Sequence, residues 1–358
     1  MSDKPKRAQW GAQAHLDERG KLPVSFPRIL GPNAMAYLQE VADSGLTADM
    51  TGRFERAFAE ALGVKHCIAT PGCTPALHVL ALACGWDPGD EIIVSPVTDY
   101  GTLHGFVAQN IIPVFPDTAP GSINFSPETI APCITDRTRG ILCVHMTGLI
   151  NDMDGINALA ARHGLLVIED ACQAHLARFD GKTLGTIGDV GCFSFQSSKT
   201  IACGEGGAII GSDETLMDRC YTVHNHGTSR RGLTETIGPK YRMNEFEAAV
   251  LLGQLPGAKE RFERRNQNAA YLSRRLKDIP GLTPQKLYEG TESGSFYLYP
   301  MSYHKKLFNG TPRATYLRAL AAEGVSLSPY IAKGLHREPW ICLLYTSDAA
   351  DDLLCVDL

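Results

Sequence analysis

Residues 140–170, GILCVHMTGLINDMDGINALAARHGLLVIED, decide the fold. Two runs in it are apolar almost throughout, GILCVH at 140–145 and LLVIED at 165–170, and the segment between them has helical spacing over 154–163. Strands of this kind are buried on both faces, and when helices separate them they imply a mainly parallel sheet with a helical layer on each side. The alternation continues in both directions. Upstream come HCIAT at 66–70, a helix from Pro75 to Ala83, EIIVS at 91–95, a helix near 101–109 and IIPVF at 111–115. Downstream come CFSF at 192–195 and AIIG at 208–211, which brings the strands to seven. Ahead of them, Phe54, Ala57, Phe58, Ala61 and Leu62 predict a helix over 52–62, with Thr51 placed to cap its first turn.

The fold class is therefore α/β, with a large domain over 20–255. After about residue 255 the pattern shifts to a long charged helix over 256–277, an aromatic strand FYLYPM at 296–301 and a helix over 312–323. This marks a smaller α+β domain over 256–341, joined by the N-terminal segment. In an open sheet of this type, ligands bind beyond the carboxyl ends of the strands, where loops enter helices.

With 34 basic against 39 acidic side chains, the 358-residue chain has a formal net charge of −5. It has no basic surplus with which to grip nucleic acid or an anionic membrane, so neither is expected as a partner. The opening MSDKPKRAQWGAQAHLDERGK holds no apolar stretch of signal-peptide length, and the cytoplasm is the expected location. The eleven cysteines are scattered and form no CxxC pair, so reduced thiols and no metal site are expected, the close pair Cys172 and His175 included.

Three features at strand ends can carry chemistry. Gly72, Cys73 and Thr74, ahead of Pro75, turn a strand into a helix, so backbone N–H groups, a hydroxyl and the positive helix end converge as an anion cradle. Asp170 ends a buried strand, where a carboxylate needs a cation or donors. Lys199 follows CFSF on a loop closed by Gly204-Glu205-Gly206-Gly207, where partial burial beside a cationic ring would lower its pKa. Ser194 could add a hydroxyl to the cradle. Singly, each has a plainer reading: a glycine turn, a turn-capping aspartate, a loop lysine, a hydroxyl satisfied by backbone. Together they are what a pyridoxal 5'-phosphate (PLP) enzyme requires, namely a phosphate cradle, a partner for the pyridine nitrogen and an imine-forming lysine.

Their order and surroundings resemble the DegT/StrS family of PLP-dependent sugar aminotransferases, with the aspartate aminotransferase-like fold, from about residue 27 to 341. FERAFAEALGVKH, GCTPALHVLALACGWDPGDE, EDACQAHL, FSFQSSKTIACGEGG and YRMNEFEAAVLLGQL stand in the order of that family's motifs. The family's cup reads SGT where this chain reads GCT, and its EDAAQAHG motif aligns with Asp170 and Gln173. The resemblance implies a homodimer with shared active sites and a PLP Schiff base on Lys199. It also implies the ring nitrogen on Asp170, the ring hydroxyl near Gln173 and the phosphate near Cys73, Thr74 and Ser194. Glutamate or glutamine would give its amine to the cofactor, and a keto sugar or keto cyclitol would receive it.

The chain departs from the family at several points. SPVTDYG puts Asp99 where an aromatic side chain usually stacks on the ring, leaving Tyr100 next to it for that task. GPKYRM puts Lys240 where an asparagine usually reaches the neighbouring subunit's phosphate; a lysine can hold phosphate as a point charge. HMTG at 145–148 lacks an aromatic residue. Residues 342–358, CLLYTSDAADDLLCVDL, lose the family pattern, and LLYTSDAADD resembles translated adapter sequence, so this tail is expected to be foreign to the fold and the small domain truncated. HNHGTSRRG at 224–232 offers Arg230 and Arg231 to an anionic substrate or to solvent. Two other functions fit parts of this pattern: a PLP sugar dehydratase, which the retained Lys199 opposes, and a non-catalytic PLP-binding regulator, which the departures favour. No GxGxxG follows a strand and no Walker lysine is present, which opposes a nucleotide site.

Overall fold

The structure is a computed structural model and describes residues 30–341 apart from 326 and 332. The foreign-tail expectation for 342–358 falls outside the described residues. The described residues form twelve strands: β1 His66–Thr70, β2 Glu91–Val94, β3 Ile112–Val114, β4 Thr138–Val144, β5 Leu166–Asp170, β6 Arg178–Phe179, β7 Lys182–Thr183, β8 Val190–Ser194, β9 Gly207–Gly211, β10 Leu282–Pro284, β11 Thr291–Ser293 and β12 Met301–Tyr303.

Seven of them form the expected sheet, in the order β1-β9-β8-β5-β4-β2-β3. From β8 through β5, β4 and β2 to β3 every neighbour is parallel, whereas β9 runs against both β8 and β1. A single strand is thus reversed, and the other six point their carboxyl ends at one edge. Alternate residues of each strand feed opposite faces. Val167 of β5 packs with Phe54, Phe58, Ile156 and Leu159 on one side. Ile168 packs with Leu77, Leu80, Phe106 and Cys220 on the other. Phe54, Phe58, Phe193 and Phe195 form an aromatic cluster with edge-on contacts of 5.2–5.3 Å between the helix Met50–Leu62 and the end of β8 with the residue after it. Each such ring, fully buried, contributes on the order of 1.5–3 kcal/mol.

The structure corrects three local expectations. Thr51 does not cap the helix Met50–Leu62, whose preceding residue Asp49 is left-handed and makes no side-chain cap. Its first N–H groups are met instead by the Glu245 carboxylate, which accepts from Met50 N at 2.8 Å and Thr51 N at 3.4 Å. A negative side chain is well placed at the positive end of a helix. The helix near 101–109 divides into a 3-10 turn, Tyr100–Thr102, and a short helix, His104–Ala108. The aromatic run 296–300 is not a strand. The chain here is tied to the loop after β4, by Ser295 N to Gly148 O at 2.8 Å just ahead of the run and Leu298 N to Thr147 O at 3.4 Å within it, and Met301–Tyr303 makes the pairing with β10.

Replacing Glu245 with Ala removes a cap and is expected to lower stability by about 1–2 kcal/mol. Urea unfolding measures this, and an unchanged midpoint would show that the cap contributes nothing.

Candidate active site

The parallel direction of β1, β5 and β8 carries the three predicted groups to the same edge of the sheet. Asp170 is the last residue of β5, flanked by Val144 of β4 and Cys192 of β8, and only 1% exposed. Its carboxylate is not left bare. Oδ2 accepts from the Thr102 hydroxyl at 2.9 Å, Oδ1 accepts from the Cys172 amide at 3.1 Å, and the Cys73 thiol stands 3.9 Å from Oδ1. Thr98 lies 3.0 Å from the Thr102 hydroxyl, so a short polar chain reaches the carboxylate from the β2 side.

On the opposite face of β5, Glu169 pins the strand end. It accepts from the backbone of Gly185, Ile187 and Gly188 at 2.6–2.7 Å and meets His145 Nε2 at 2.7 Å. Burial opposes its charge, but the His145 contact and the backbone donors prevail and hold its pKa below the usual carboxylate value.

Gly72 and Cys73 follow β1 after Pro71, and no side chain caps the helix Cys73–Cys84 that they open. Its first N–H groups are therefore offered to an incoming anion. The cradle is packed from below by Gly207 at the start of β9, where an added Cβ would come 2.7 Å from Cys73 N. Gly101 leaves room for Thr74 in the same way, since a Cβ there would meet Thr74 Oγ1 at 2.6 Å.

Lys199 rides the loop that reverses the chain between β8 and β9. That loop is tied by Phe195 N to Gly206 O at 2.7 Å, Ser197 N to Gly204 O at 2.8 Å and Lys199 N to Gln196 O at 2.8 Å. Lys199 Nζ lies 4.5 Å over the Tyr297 ring, whose hydroxyl stands 2.9 Å from Ser198 Oγ. The chain's own groups act on Lys199 in the direction opposite to the lowering that a cationic ring would bring. Burial pulls its pKa down, but Cys172, Tyr297, Tyr330 and Asp170 outweigh burial and hold the ammonium above its ordinary value. These neighbours come from three separate segments, which is why the lysine's own loop could not disclose them.

Gln173 is buried beside Asp170, with both ends of its amide engaged: Oε1 accepts from Thr147 N at 2.7 Å and Nε2 donates to the Tyr330 hydroxyl at 2.8 Å. Ser194 ends β8, buried, with Oγ accepting weakly from Gln196 N at 3.4 Å. Tyr100 is 56% exposed and leans on His104, 5.2 Å between rings, while Asp99 caps the same turn by accepting from Gly101 N at 2.8 Å. Lys240 is exposed on a loop bridged to Asn225. Arg230 lies 3.9 Å over Tyr221 and pairs with Asp218, and Arg231 pairs with Glu235, so both guanidiniums are engaged locally. Sequence reasoning missed Thr98, Thr102, Tyr297 and Tyr330. The hydroxyls carry no motif, and the two tyrosines sit in segments far along the chain.

His175 is buried against Phe193 and Phe195, at 5.4 and 5.7 Å between rings, and neither nitrogen has a well-aligned partner among the described residues. Burial, then the Lys199 and Arg265 charges, lower its pKa to about 3, a weak contact to the Ser194 backbone offsetting this only in part. The neutral ring stabilises the fold fully above pH 6.5. As pH falls from there toward 3, the unfolded chain takes up a proton that the folded chain refuses, at a cost of up to about 1.4 kcal/mol per unit. His175→Asn is therefore expected to flatten the fall in urea-unfolding free energy between pH 6.5 and 5, and an unchanged slope would contradict a neutral buried ring.

A family model described as the DegT/DnrJ/EryC1/StrS aminotransferase family matches residues 29–351. The chain is 36% identical over 293 residues to L-glutamine:2-deoxy-scyllo-inosose aminotransferase of Streptoalloteichus tenebrarius, covering 78% of this chain and 69% of that protein. It is 31% identical over 316 residues to the pleiotropic regulatory protein of Geobacillus stearothermophilus, covering 87% and 82%. Among solved structures it resembles S. venezuelae DesV in complex with a ketimine intermediate, with TM-score 0.80, 30% identity and coverage of 87% and 82%. With the sheet, the motif order and these matches in agreement, the chain belongs to the DegT/DnrJ/EryC1/StrS aminotransferase family.

Proposed function

We propose that this aminotransferase uses pyridoxal 5'-phosphate to carry an amino group from glutamine or glutamate to the keto carbon of a sugar nucleotide or cyclitol. The observation that carries the reading is the convergence of an uncapped helix start, a donor-lined carboxylate and a half-buried lysine at one edge of the sheet. The residues fit the cofactor. Gly72, Cys73, Thr74 and Ser194 would hold its phosphate, Asp170 its ring nitrogen and Gln173 its ring hydroxyl, with Tyr100 beside the ring.

When bound, PLP supplies an electron sink for the pair left when the donor's α proton is removed. Lys199 Nζ holds the cofactor at rest and moves that proton. Its neighbours favour the protonated amine, so the lysine is well suited to return a proton and needs a nearby positive charge to become a nucleophile. The name of the relative from Streptoalloteichus tenebrarius makes glutamine and a keto cyclitol the first pair to try.

We further propose a homodimer in which an exposed Lys240 reaches the other copy's phosphate, and residues 256–341 as the smaller domain. Among the described residues no helix is long and apolar enough to cross a membrane, and a cytoplasmic location fits the use of sugar or cyclitol substrates. A second reading, a PLP-binding regulator without turnover, is favoured by the regulatory relative and by Asp99 in the stacking position.

Amine transfer from glutamine to a keto cyclitol, followed by product mass, separates these readings. The wild type is expected to form the amino product, and Lys199→Ala to slow its formation by roughly 10²–10⁴-fold. PLP binding without transfer from either donor to any keto sugar or cyclitol would favour the regulator, and turnover without a donor would favour a dehydratase.

A further inference from the structure

The two cysteines that flank Asp170 both stand where the family motif carries no thiol: GCT in place of SGT, and EDACQ in place of EDAAQ. The structure brings these two departures together. The Cys73 thiol is 3.9 Å from Asp170 Oδ1, and the Cys172 amide donates to that same oxygen. The neighbouring Cys172 side chain, with burial behind it, raises the Cys73 pKa. Both cysteines are free and neither is fully buried. The Cys172 thiol in turn lies close enough to Lys199 to act on its charge. Two unrelated segments, the helix start after β1 and the turn after β5, thus bring two cysteines to the same oxygen of Asp170.

We propose that Cys73 and Cys172 are a modification site, a dithiol that a small-molecule disulfide of the glutathione type closes into an intramolecular disulfide, and that closure turns the cofactor site off. This rests on the PLP reading of the same site. Cys172, on the turn after β5, attacks the reagent first. Its thiolate displaces one thiolate from the reagent and leaves a mixed disulfide. Cys73 then gives up its proton, attacks the Cys172 sulfur and releases the second reagent thiol. Two protein thiols are oxidised and one reagent disulfide is reduced to two thiols. The new bond would tie the anion cradle to the turn that positions Asp170, and so would shift the groups that would hold the phosphate and the ring nitrogen relative to each other. By linkage, a bound cofactor protects the pair from oxidation as strongly as oxidation weakens binding of the cofactor.

The test treats the full chain with oxidised glutathione, with and without saturating PLP. Unreduced peptides are mapped by mass spectrometry, and PLP affinity is read by absorbance before and after dithiothreitol. The proposal expects a Cys73–Cys172 linked peptide, slowed about tenfold by PLP, and an affinity about tenfold weaker after oxidation that dithiothreitol restores. Cys172→Ala and Cys73→Gly are each expected to make affinity insensitive to the oxidant. Absence of the linked peptide overturns the dithiol, and a linked peptide with unchanged affinity overturns the switch. Reduced protein that takes up no PLP contradicts the cofactor reading and with it the switch, while the peptide map still decides whether the dithiol closes.

Discussion

A carboxylate buried at the end of a parallel strand is the constraint on which the site depends. Asp170 cannot stay in the interior without partners, because an unpaired buried charge costs several kcal/mol. The fold meets that demand in two parts. Thr102 and the Cys172 amide satisfy one oxygen each, and on the far face of β5 the Glu169 carboxylate binds three backbone amides and His145, so the strand end cannot drift. Adjacent residues of one strand thus divide the work: Glu169 fixes the framework and Asp170 faces the site.

The reversed strand β9 does the corresponding work for the lysine. Because β9 runs antiparallel to β8 and to β1, the chain must turn back at the same edge where Asp170 and the cradle lie. Lys199 rides that return, and Gly207 at its far end packs under Gly72 and Cys73. Cradle, carboxylate and lysine are therefore consequences of one strand order rather than three separate placements. Where their surroundings come from elsewhere, the chemistry changes: Tyr297 and Tyr330 help keep the Lys199 proton on, against the pull of burial.

These contributions differ in how readily the chain discloses them. The sheet was legible because each strand is a local apolar run and each helix has local periodicity. Asp170, Lys199 and the Gly72–Thr74 turn were legible because strand ends can be read from the same runs. Tyr330 could not be read that way, since it meets Gln173 from 157 residues away, and Tyr297 meets Ser198 from 99. The Glu245 cap on Met50, 195 residues off, displaced the plausible local candidate Thr51 for the same reason. The aromatic run at 296–300 misled because its residue types suit a strand, while Leu298 N and the preceding Ser295 N bond to the 147–148 loop.

The central claim is that Lys199 is the residue that holds the cofactor. Reducing the PLP-loaded protein with borohydride and mapping its peptides tests it directly. The account predicts a pyridoxyl phosphate mass on the peptide bearing Lys199 and on no other. The same mass on Lys240 or another lysine, with Lys199 unmodified, would contradict it.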